Sequence, residues 1–217
     1  MLTPERRPYR REAEDKRRQA LITATLSLVA EGGARIATVR AIAERAGVTA
    51  GLIRHYFQSK DGLIAASYRH VMERMTDESV AVLKSAPHDP QARLAAFVAA
   101  SLRPPVVDRE ALILWASFMQ ETNRDAAMLA THSSTYLGFR DLLQGLIAAL
   151  PQDRSATELR QMAIACNAVI DGLWLEGSAL PEAFTTGELV HIGITSVGAI
   201  LGIKLSNYML FTGPFTS

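Results

Sequence analysis

The residues of this chain that are best suited to chemistry are basic side chains, clustered in one short stretch. Arg40, Arg54, His55 and Lys60 lie within residues 38–60, whose sequence is TVRAIAERAGVTAGLIRHYFQSK. Arginine and lysine donate hydrogen bonds to phosphate, and arginine can also pair with the edge of a guanine base. This stretch therefore indicates nucleic-acid binding rather than catalysis.

No set of residues has the spacing of an enzyme or a metal site. The sequence contains no HExxH, GxSxG, GxGxxG or Walker motif. Its single cysteine, Cys166, excludes an internal disulfide and a cysteine-based zinc site, and its apolar surroundings favour a buried, inert thiol. The five histidines are scattered along the chain, at His55, His70, His88, His132 and His191. We therefore expect no enzyme activity, no cofactor and no metal.

The basic residues are placed by two short predicted helices with a tight turn between them. Small or apolar residues recur at the spacing of one buried helical face. They are Val39, Ile42, Ala43 and Ala46 in the first helix, and Ile53, Tyr56 and Phe57 in the second. Gly47 suits the left-handed turn between the helices, and Thr49 is predicted to cap the second helix. This pattern is a helix-turn-helix, whose second helix enters the major groove of DNA.

The rest of the chain predicts further helices and no strand. Periodic apolar residues separated by Pro and Gly breaks indicate an all-α protein of about nine helices, of which the first begins near Glu14. Asp89 before Pro90, and Ser155 followed by Glu158, are helix-start signals. We expect a flexible basic arm at residues 1–13, a DNA-binding domain at 14–70, and a ligand-binding and dimerisation domain at 71–217.

Charge is unevenly distributed between the front and the rear of the chain. Residues 1–70 hold 13 Lys and Arg against 7 Asp and Glu, whereas residues 71–217 hold 10 against 15. The balances of +6 and −5 give the net charge of +1. A basic front alone would fit a merely solvated surface, but the helix-turn-helix inside it favours contact with a polyanion.

Membrane insertion and secretion are not indicated. No apolar run reaches the roughly 18–20 residues that a membrane span needs. The first residues, MLTPERRPYRREAEDKRR, are too polar for a secretory signal. We therefore expect a cytoplasmic protein with no membrane partner.

The stretch TVRAIAERAGVTAGLIRHYFQSKDGL resembles the TetR family of bacterial transcriptional regulators. Residues 14–70 carry this resemblance most specifically, through a sequence pattern with five elements. These elements are Thr38, Ile42-Ala43, Ala46-Gly47-Val48, His55-Tyr56-Phe57 and Lys60. The His-Tyr-Phe ending and IDGLWL at 170–175 are most similar to the BetI-type subgroup, which represses choline–glycine betaine genes. The resemblance implies a repressor that a small molecule releases from DNA.

Arg54 departs from that resemblance, because the BetI-type subgroup usually has a small polar residue at this position. A guanine contact by Arg54 would give this chain an operator of its own. The residues expected to bind DNA are Thr38, Arg40, Thr49, Ala50, Gly51, Arg54, His55, Tyr56 and Lys60. The alternatives are solvated surface for Arg54 and Lys60, and ordinary core for Tyr56.

One helix-turn-helix makes few base contacts, so a homodimer on a palindromic operator is expected. The ninth predicted helix contains several glycines, which favour close packing against another backbone. Leu173, Ile194, Gly198, Leu201 and Gly202 are the predicted dimer interface. Packing within one subunit is the alternative explanation for the glycines.

Aromatic and polar residues are interspersed in the middle helices, which is typical of a small-molecule cavity. The predicted ligand-binding residues are Phe97, Trp115, Phe118, Met119, His132, Tyr136, Phe139, Asn167, Asp171 and Trp174. The aromatic faces of Trp115, Phe118 and Trp174 would suit a quaternary ammonium ion. Two rival functions remain at this point: a DNA-binding regulator without an effector, and a helical enzyme or scaffold.

Overall fold

The computed structural model describes residues 6–212, and within that range it contains nine α-helices and no strand. The helices are α1 (Arg6–Gly32), α2 (Val39–Arg45), α3 (Gly51–Phe57), α4 (Lys60–Ala81), α5 (Pro90–Ser101), α6 (Arg109–Thr122), α7 (Ala126–Ala148), α8 (Ala156–Ala179) and α9 (Glu188–Leu201). Short 3-10 segments follow at Val82–Lys84, Pro181–Ala183 and Leu205–Thr212. The predicted all-α architecture is confirmed.

The first helix begins earlier than the sequence pattern predicted. It starts at Arg6 rather than near Glu14, so the part of the predicted flexible arm from residue 6 onwards is helical. Residues 1–5 of that arm lie outside the described range. Arg, Glu, Ala and Lys dominate residues 9–18, and these are good helix formers even where no apolar stripe marks a helix.

Two predicted helix starts are present in the structure. Asp89 accepts a hydrogen bond from the Ala92 amide at 2.8 Å, immediately before Pro90 at the first helical position of α5. Ser155 and Glu158 form a reciprocal capping box at the start of α8. Hydrogen bonds from Ser155 also lower the pKa of the Glu158 carboxyl group.

The contacts within the chain divide it into two compact units. The first unit comprises the chain up to Val71 together with Ile113–His132, and the second comprises Met72–Leu112 together with the chain from Ser133 onwards. The helix-turn-helix at 38–60 belongs wholly to the first unit. Residues 113–132 thus group with the DNA-binding part, which a simple division of the sequence at residue 70 does not anticipate.

The core of the second unit is built around α5, whose residues from Leu94 to Ser101 are all buried. This helix packs against α8, α9 and the 3-10 segment at Leu205–Thr212. Trp174 on α8 is also buried, and its Nε1 donates a hydrogen bond to the Val106 carbonyl oxygen at 2.9 Å. These contacts fix α8, which carries three of the residues predicted to bind a ligand, Asn167, Asp171 and Trp174.

The glycines of α9 serve packing within the chain. A Cβ at Gly193 would overlap the Leu102 side chain, and a Cβ at Gly198 would lie 2.8 Å from the Ile203 carbonyl oxygen. Gly202 lies beyond the helix as its C-cap, with φ of 70°. Gly202 therefore does not continue the helical face that carries Gly198, because the left-handed residue ends the helix.

Candidate nucleic-acid interface and polar ligand site

The first helix of the helix-turn-helix, α2, begins at a threonine cap. Thr38 is its N-cap, and its hydroxyl accepts a hydrogen bond from the Ala41 amide at 3.2 Å. Ile42 and Ala43 are buried within the first unit, whereas Val39 is 39% exposed. Thr38 and Arg40 are exposed at the start of this helix, where backbone amides also attract phosphate.

The turn and the start of α3 differ in one detail from the prediction. Gly47 has a φ of 64°, so the expected left-handed turn is present. The N-cap of α3 is Ala50, with no side-chain hydrogen bond, so the predicted capping role of Thr49 is wrong. The Thr49 carbonyl oxygen instead accepts from the Leu52 amide at 3.1 Å, which tightens the turn and leaves the threonine side chain exposed.

The second helix, α3, presents a basic outer face and an apolar inner face. Ile53 and Phe57 are 2% and 5% exposed, and both face the core of the first unit. Arg54 and His55 are exposed on the opposite side, and Tyr56 is half-buried with its ring 4.9 Å from that of His55. The N-terminal residues Thr49, Ala50 and Gly51 are likewise exposed. Their small side chains leave the start of α3 free to approach a groove closely.

Two contacts that the sequence analysis missed fix α2 and α3 on α1. Arg45 pairs with both carboxylate oxygens of Glu31, at 2.6 and 3.0 Å, and also donates to Ser27. The Arg45 pair lowers the pKa of the Glu31 carboxyl group. The Arg18 guanidinium lies 5.3 Å from the centre of the Phe57 ring. No local sequence signal identifies such partners, because they lie on different helices.

The junction between α3 and α4 is held by a close backbone approach. A Cβ at Gly62 would overlap the Phe57 carbonyl oxygen, so only glycine fits there. Ser59 accepts a hydrogen bond from the Gly62 amide at 2.9 Å and so stabilises the first turn of α4. Lys60 begins α4 and is half-buried at this junction.

A cleft of about 260 Å³ lies beside Lys60 within the first unit. Its charged lining residues are Arg35, Lys60, Arg124, Asp61, Glu121 and Asp125. The equal numbers of basic and acidic side chains give no preference for an anion or a cation. We therefore assign no ligand to this cleft.

Two of the predicted ligand-binding residues lie around Tyr68, which the sequence analysis did not select. Tyr68 is fully buried, and its hydroxyl lies 2.8 Å from His132 Nδ1. The Phe118 ring, also fully buried, has its centre 5.0 Å from that of Tyr68. Burial raises the pKa of the Tyr68 hydroxyl. Trp115 and Met119, on the same helix as Phe118, are half-buried in the first unit.

The remaining predicted ligand-binding residues lie in the second unit, where three of them form a polar cluster of Tyr136, Asn167 and Asp171. The Tyr136 hydroxyl donates to Asp171 Oδ2 at 2.5 Å. Asn167 Nδ2 donates to the same Asp171 oxygen and to the Tyr136 hydroxyl oxygen, each at 2.8 Å. Burial, reinforced by the hydrogen bond to Asp171, raises the pKa of Tyr136 to about 12.

Asn167 leaves one buried acceptor unused. Its side chain is 2% exposed, and Oδ1 has no hydrogen-bond partner among the described residues. The orientation of the amide is fixed, because the atom beside the Asp171 carboxylate has to be the donating nitrogen. An unsatisfied buried acceptor costs about 1–3 kcal/mol, which a ligand donor would recover.

Two of the aromatic residues predicted to bind a ligand pack against each other in the second unit. Phe97 on α5 and Phe139 on α7 pack with their ring centres 5.2 Å apart. Phe139 follows Tyr136 by three residues, which places both on one side of α7. Trp174, by contrast, is held by its hydrogen bond to Val106 and is part of the core.

Three of the five residues predicted for a dimer interface face inward. Ile194, Gly198 and Leu201 are buried within the chain's own second unit, so this part of the predicted interface is wrong. Their burial follows from the side of α9 that packs on α5. Leu173 is half-buried, and Gly202 is exposed.

A different face of α8 is exposed and is formed by small or apolar residues. Its members, at helical spacing, are Ala165, Ala168, Gly172 and Leu175. Leu175 is 44% exposed, and a Cβ at Gly172 would meet no atom within 4 Å. The exposed residues of α9 are His191, Thr195 and Ala199.

Metal-binding and membrane-spanning features are absent from residues 6–212. Within them, no group of three or more His, Cys, Asp or Glu side chains is arranged to hold a metal ion. Among the helices of this range, none combines the length and apolar character needed to cross a bilayer. Cys166 is buried, and burial raises the pKa of its thiol to about 12.

The family of the chain follows from its sequence matches. Residues 21–67 match the family described as "Bacterial regulatory proteins, tetR family", and residues 90–202 match "BetI-type transcriptional repressor, C-terminal". The chain belongs to the TetR family of bacterial transcriptional regulators, and its C-terminal part is of the BetI type. Members of this family are regulators that bind DNA, not enzymes.

Individual relatives agree with this assignment. An HTH-type transcriptional regulator BetI from Paraburkholderia phytofirmans is 30% identical over 87% of this chain and 95% of its own length. One from Burkholderia ambifaria is 34% identical over 75% of this chain and 82% of its own length.

Solved structures share the fold. A putative transcriptional regulator from Pseudomonas aeruginosa has a TM-score of 0.79 at 31% identity, covering 89% of this chain and 94% of its own. A putative regulator from Saccharomonospora viridis, crystallised with choline, has a TM-score of 0.62 at 19% identity, covering 85% of this chain and 95% of its own. At that identity the second match bears on the fold alone.

Proposed function

We propose that this chain is a ligand-responsive repressor that binds a palindromic operator as a homodimer and leaves it when a small molecule binds the second unit. The observation that carries the proposal is the exposed basic face of α3, which bears Arg54 and His55 opposite the buried Ile53 and Phe57. Membership of a family that includes BetI-type repressors supports repression rather than activation. Because its target is genomic DNA, we place the protein in the cytoplasm.

The exposed residues divide into two roles on DNA. Positioning comes from phosphate contacts, and sequence choice comes from contacts to base edges. Thr38, Arg40 and Lys60, at the starts of α2 and α4, would hold phosphates, and the Tyr56 hydroxyl would add a further contact. Arg54 and His55 would read base edges, because they project from the outer face of α3. Thr49, Ala50 and Gly51 would let the start of α3 enter the groove.

The dimer would form through the exposed face of α8 at Ala165, Ala168, Gly172 and Leu175, with the exposed residues of α9 beside it. Glycine and alanine allow two helices to approach closely, and Gly172 has open space where a side chain would be. A two-fold axis would bring the same face of each subunit together. Gly202, at the end of α9, is the one residue of the interface predicted from sequence that is exposed.

Ligand binding is assigned to the second unit because of its polar cluster and the neighbouring Phe97 and Phe139. A small-molecule site typically combines apolar walls with a few convergent polar groups. Phe118 and His132 lie in the first unit around Tyr68 and are not assigned to the ligand site in this proposal. Release requires that the ligand bind the DNA-free arrangement more tightly than the DNA-bound one.

Selection of DNA from a random pool tests the central proposal. We expect an enriched palindrome whose half-sites lie about 10–10.5 base pairs apart, or a multiple of that spacing. Enrichment of a single half-site would contradict the dimer. No enrichment at all would contradict the assignment of a sequence-specific regulator.

The alternative is a DNA-binding regulator without a small-molecule effector, controlled by a partner protein or by its own concentration. A thermal-shift screen with a metabolite library separates the two. A compound that stabilises the protein and also releases operator DNA supports the sensor. Failure of a broad library to do both favours the alternative.

A further inference from the structure

We propose that the polar cluster binds an organic ammonium ion that retains at least one N–H, and that Asn167 Oδ1 accepts the hydrogen bond from it. This inference rests on the proposed ligand-responsive function and names the chemical class of its effector. It separates tertiary, secondary and primary ammonium ions from quaternary ones, which carry no N–H.

The cluster has used all of its own hydrogen-bond donors. The one hydroxyl hydrogen of Tyr136 goes to Asp171, and the two amide hydrogens of Asn167 go to Asp171 and Tyr136. An ionised Asp171 has none to give. What remains is an acceptor, Asn167 Oδ1, buried and without a partner among the described residues. A ligand that completes the cluster therefore has to bring a donor, which excludes a carboxylate or phosphate group at this point.

The charge beside that acceptor favours a cationic donor. Asp171 provides a carboxylate that both other members of the cluster already contact. Tyr136 stays protonated, since burial and Asp171 raise its pKa to about 12, so the phenol adds no second negative charge. The charge of Arg140 lowers the pKa of Tyr136, but its effect is smaller than those of burial and Asp171. Hydrogen bonds from charged donors are also stronger than those from neutral ones.

The aromatic neighbours suit the alkyl part of such an ion. Phe139 lies on the same side of α7 as Tyr136, and Phe97 packs against it at 5.2 Å. Aromatic ring faces attract ammonium ions and cover their alkyl groups. The aromatic pair alone would accept a quaternary ion equally well. Asn167 therefore provides the discrimination between ions that carry an N–H and quaternary ions.

Binding at this atom has a structural consequence. Asn167 Oδ1 is buried in the structure, and the amide nitrogen of the same side chain donates to the Tyr136 hydroxyl oxygen on α7. A ligand that reaches it therefore has to displace the groups that bury it. The same group that recognises the ammonium ion thus couples its arrival to a local rearrangement around Asn167.

Two cations on one skeleton test the inference by titration calorimetry on the full-length protein. The probes are n-butyldimethylammonium, which has one N–H, and n-butyltrimethylammonium, which has none. We expect the first to bind about tenfold more tightly or better, the ratio typical of one hydrogen bond from a charged donor. In Asn167→Leu the ratio should fall to within about twofold, since the acceptor that distinguishes the two ions is then absent.

The control is Gln161→Leu, the same kind of change at an exposed position of the same helix, which should keep the preference. If Asn167→Leu does not fold, judged by circular dichroism, Asn167→Ala replaces it. Equal binding of the two ions by the unaltered protein, or tighter binding of the quaternary ion, overturns the inference. So does loss of the preference in Gln161→Leu.

Failure of the inference and failure of the sensor are distinguishable by operator release. If neither ion binds but another metabolite releases operator DNA, the ammonium assignment is wrong and the sensor stands. If no small molecule releases the operator, both are wrong.

Discussion

Arg54 and Lys60 carry the same charge and lie six residues apart, but their surroundings differ. Arg54 is exposed in the middle of α3, where its planar guanidinium is available to a base edge. Lys60 begins α4, half-buried at the junction with α3, where a compact ammonium group suits a phosphate. Substitution of each residue should therefore change DNA binding in a different way.

Arg54→Ala should reduce binding to the selected operator by about 1–3 kcal/mol while changing binding to random DNA far less. Lys60→Ala should weaken both alike and reduce the salt slope of log K by about 1. Fluorescence anisotropy over a salt series measures both effects. Arg160→Ala, an exposed arginine on α8, is the control and should change neither. Equal losses on both DNAs for Arg54→Ala would contradict its base-reading role.

Cys166 gives a second prediction for a single residue. Burial raises the pKa of its thiol to about 12, so almost none of it is thiolate at pH 8. The folded protein should react with a disulfide reagent at least about 1,000 times more slowly than the protein unfolded in guanidinium, whose thiol has an ordinary pKa near 8.5. The absorbance of the chromophore that the reagent releases measures both rates. Fast reaction in the folded state would show that α8 opens.

Among the elements, the helix-turn-helix depends on close approaches that only some residues permit. Gly62 lies against the Phe57 carbonyl oxygen, so the end of α3 and the start of α4 hold one another in place. Arg18 and Arg45 add contacts from α1 to α3 and α2. The orientation of the recognition helix is thus set by its neighbours, since α3 has only seven residues.

Gly62→Ala should destabilise the protein by about 1–3 kcal/mol, because the new methyl group cannot be placed without moving the backbone of α3 or α4. Thermal unfolding measures the loss, and operator affinity should fall with it. Gly145→Ala is the matched control, since Gly145 lies in α7 with open space where the new methyl group would be, and this change should be neutral or slightly stabilising. An unchanged melting temperature for Gly62→Ala would show that the junction yields easily.

The elements also show how far sequence patterns reach. Thr38, Gly47, Asp89 and the Ser155–Glu158 box were predictable because each acts on backbone within a few residues of itself. The glycines of α9 indicated close packing, but glycine carries no information about which backbone approaches it. The Glu31–Arg45 pair and the unused acceptor of Asn167 depend on side chains from different helices or turns. Such contacts leave no periodic signal in the sequence.

For the whole molecule, the proposed dimer requires the exposed face of α8 to be compatible with a second copy of itself. Ala168 lies in the middle of that face, and Ile194, Gly198 and Leu201 are already buried within one subunit. Substitutions on the exposed face of α8 should therefore affect assembly, whereas substitutions of the buried residues of α9 should affect folding.

Ala168→Glu should convert the dimer to a monomer, because two like charges would face each other across the two-fold axis. Sedimentation velocity measures the change, and operator affinity should fall while the melting profile of the monomer remains cooperative. Ala130→Glu, an exposed alanine on α7, should leave the protein dimeric. A protein that is monomeric without any substitution would contradict the proposed assembly.

The division of α3 into two buried anchors and an exposed remainder has a consequence for altering operator choice. Ile53 and Phe57 hold the helix, whereas Arg54 and His55 contribute nothing to the core. Libraries that randomise these two exposed positions would therefore yield folded proteins at high frequency. Repressors with new target sequences and an unchanged response to the effector should be obtainable from this scaffold by engineering a surface of two side chains.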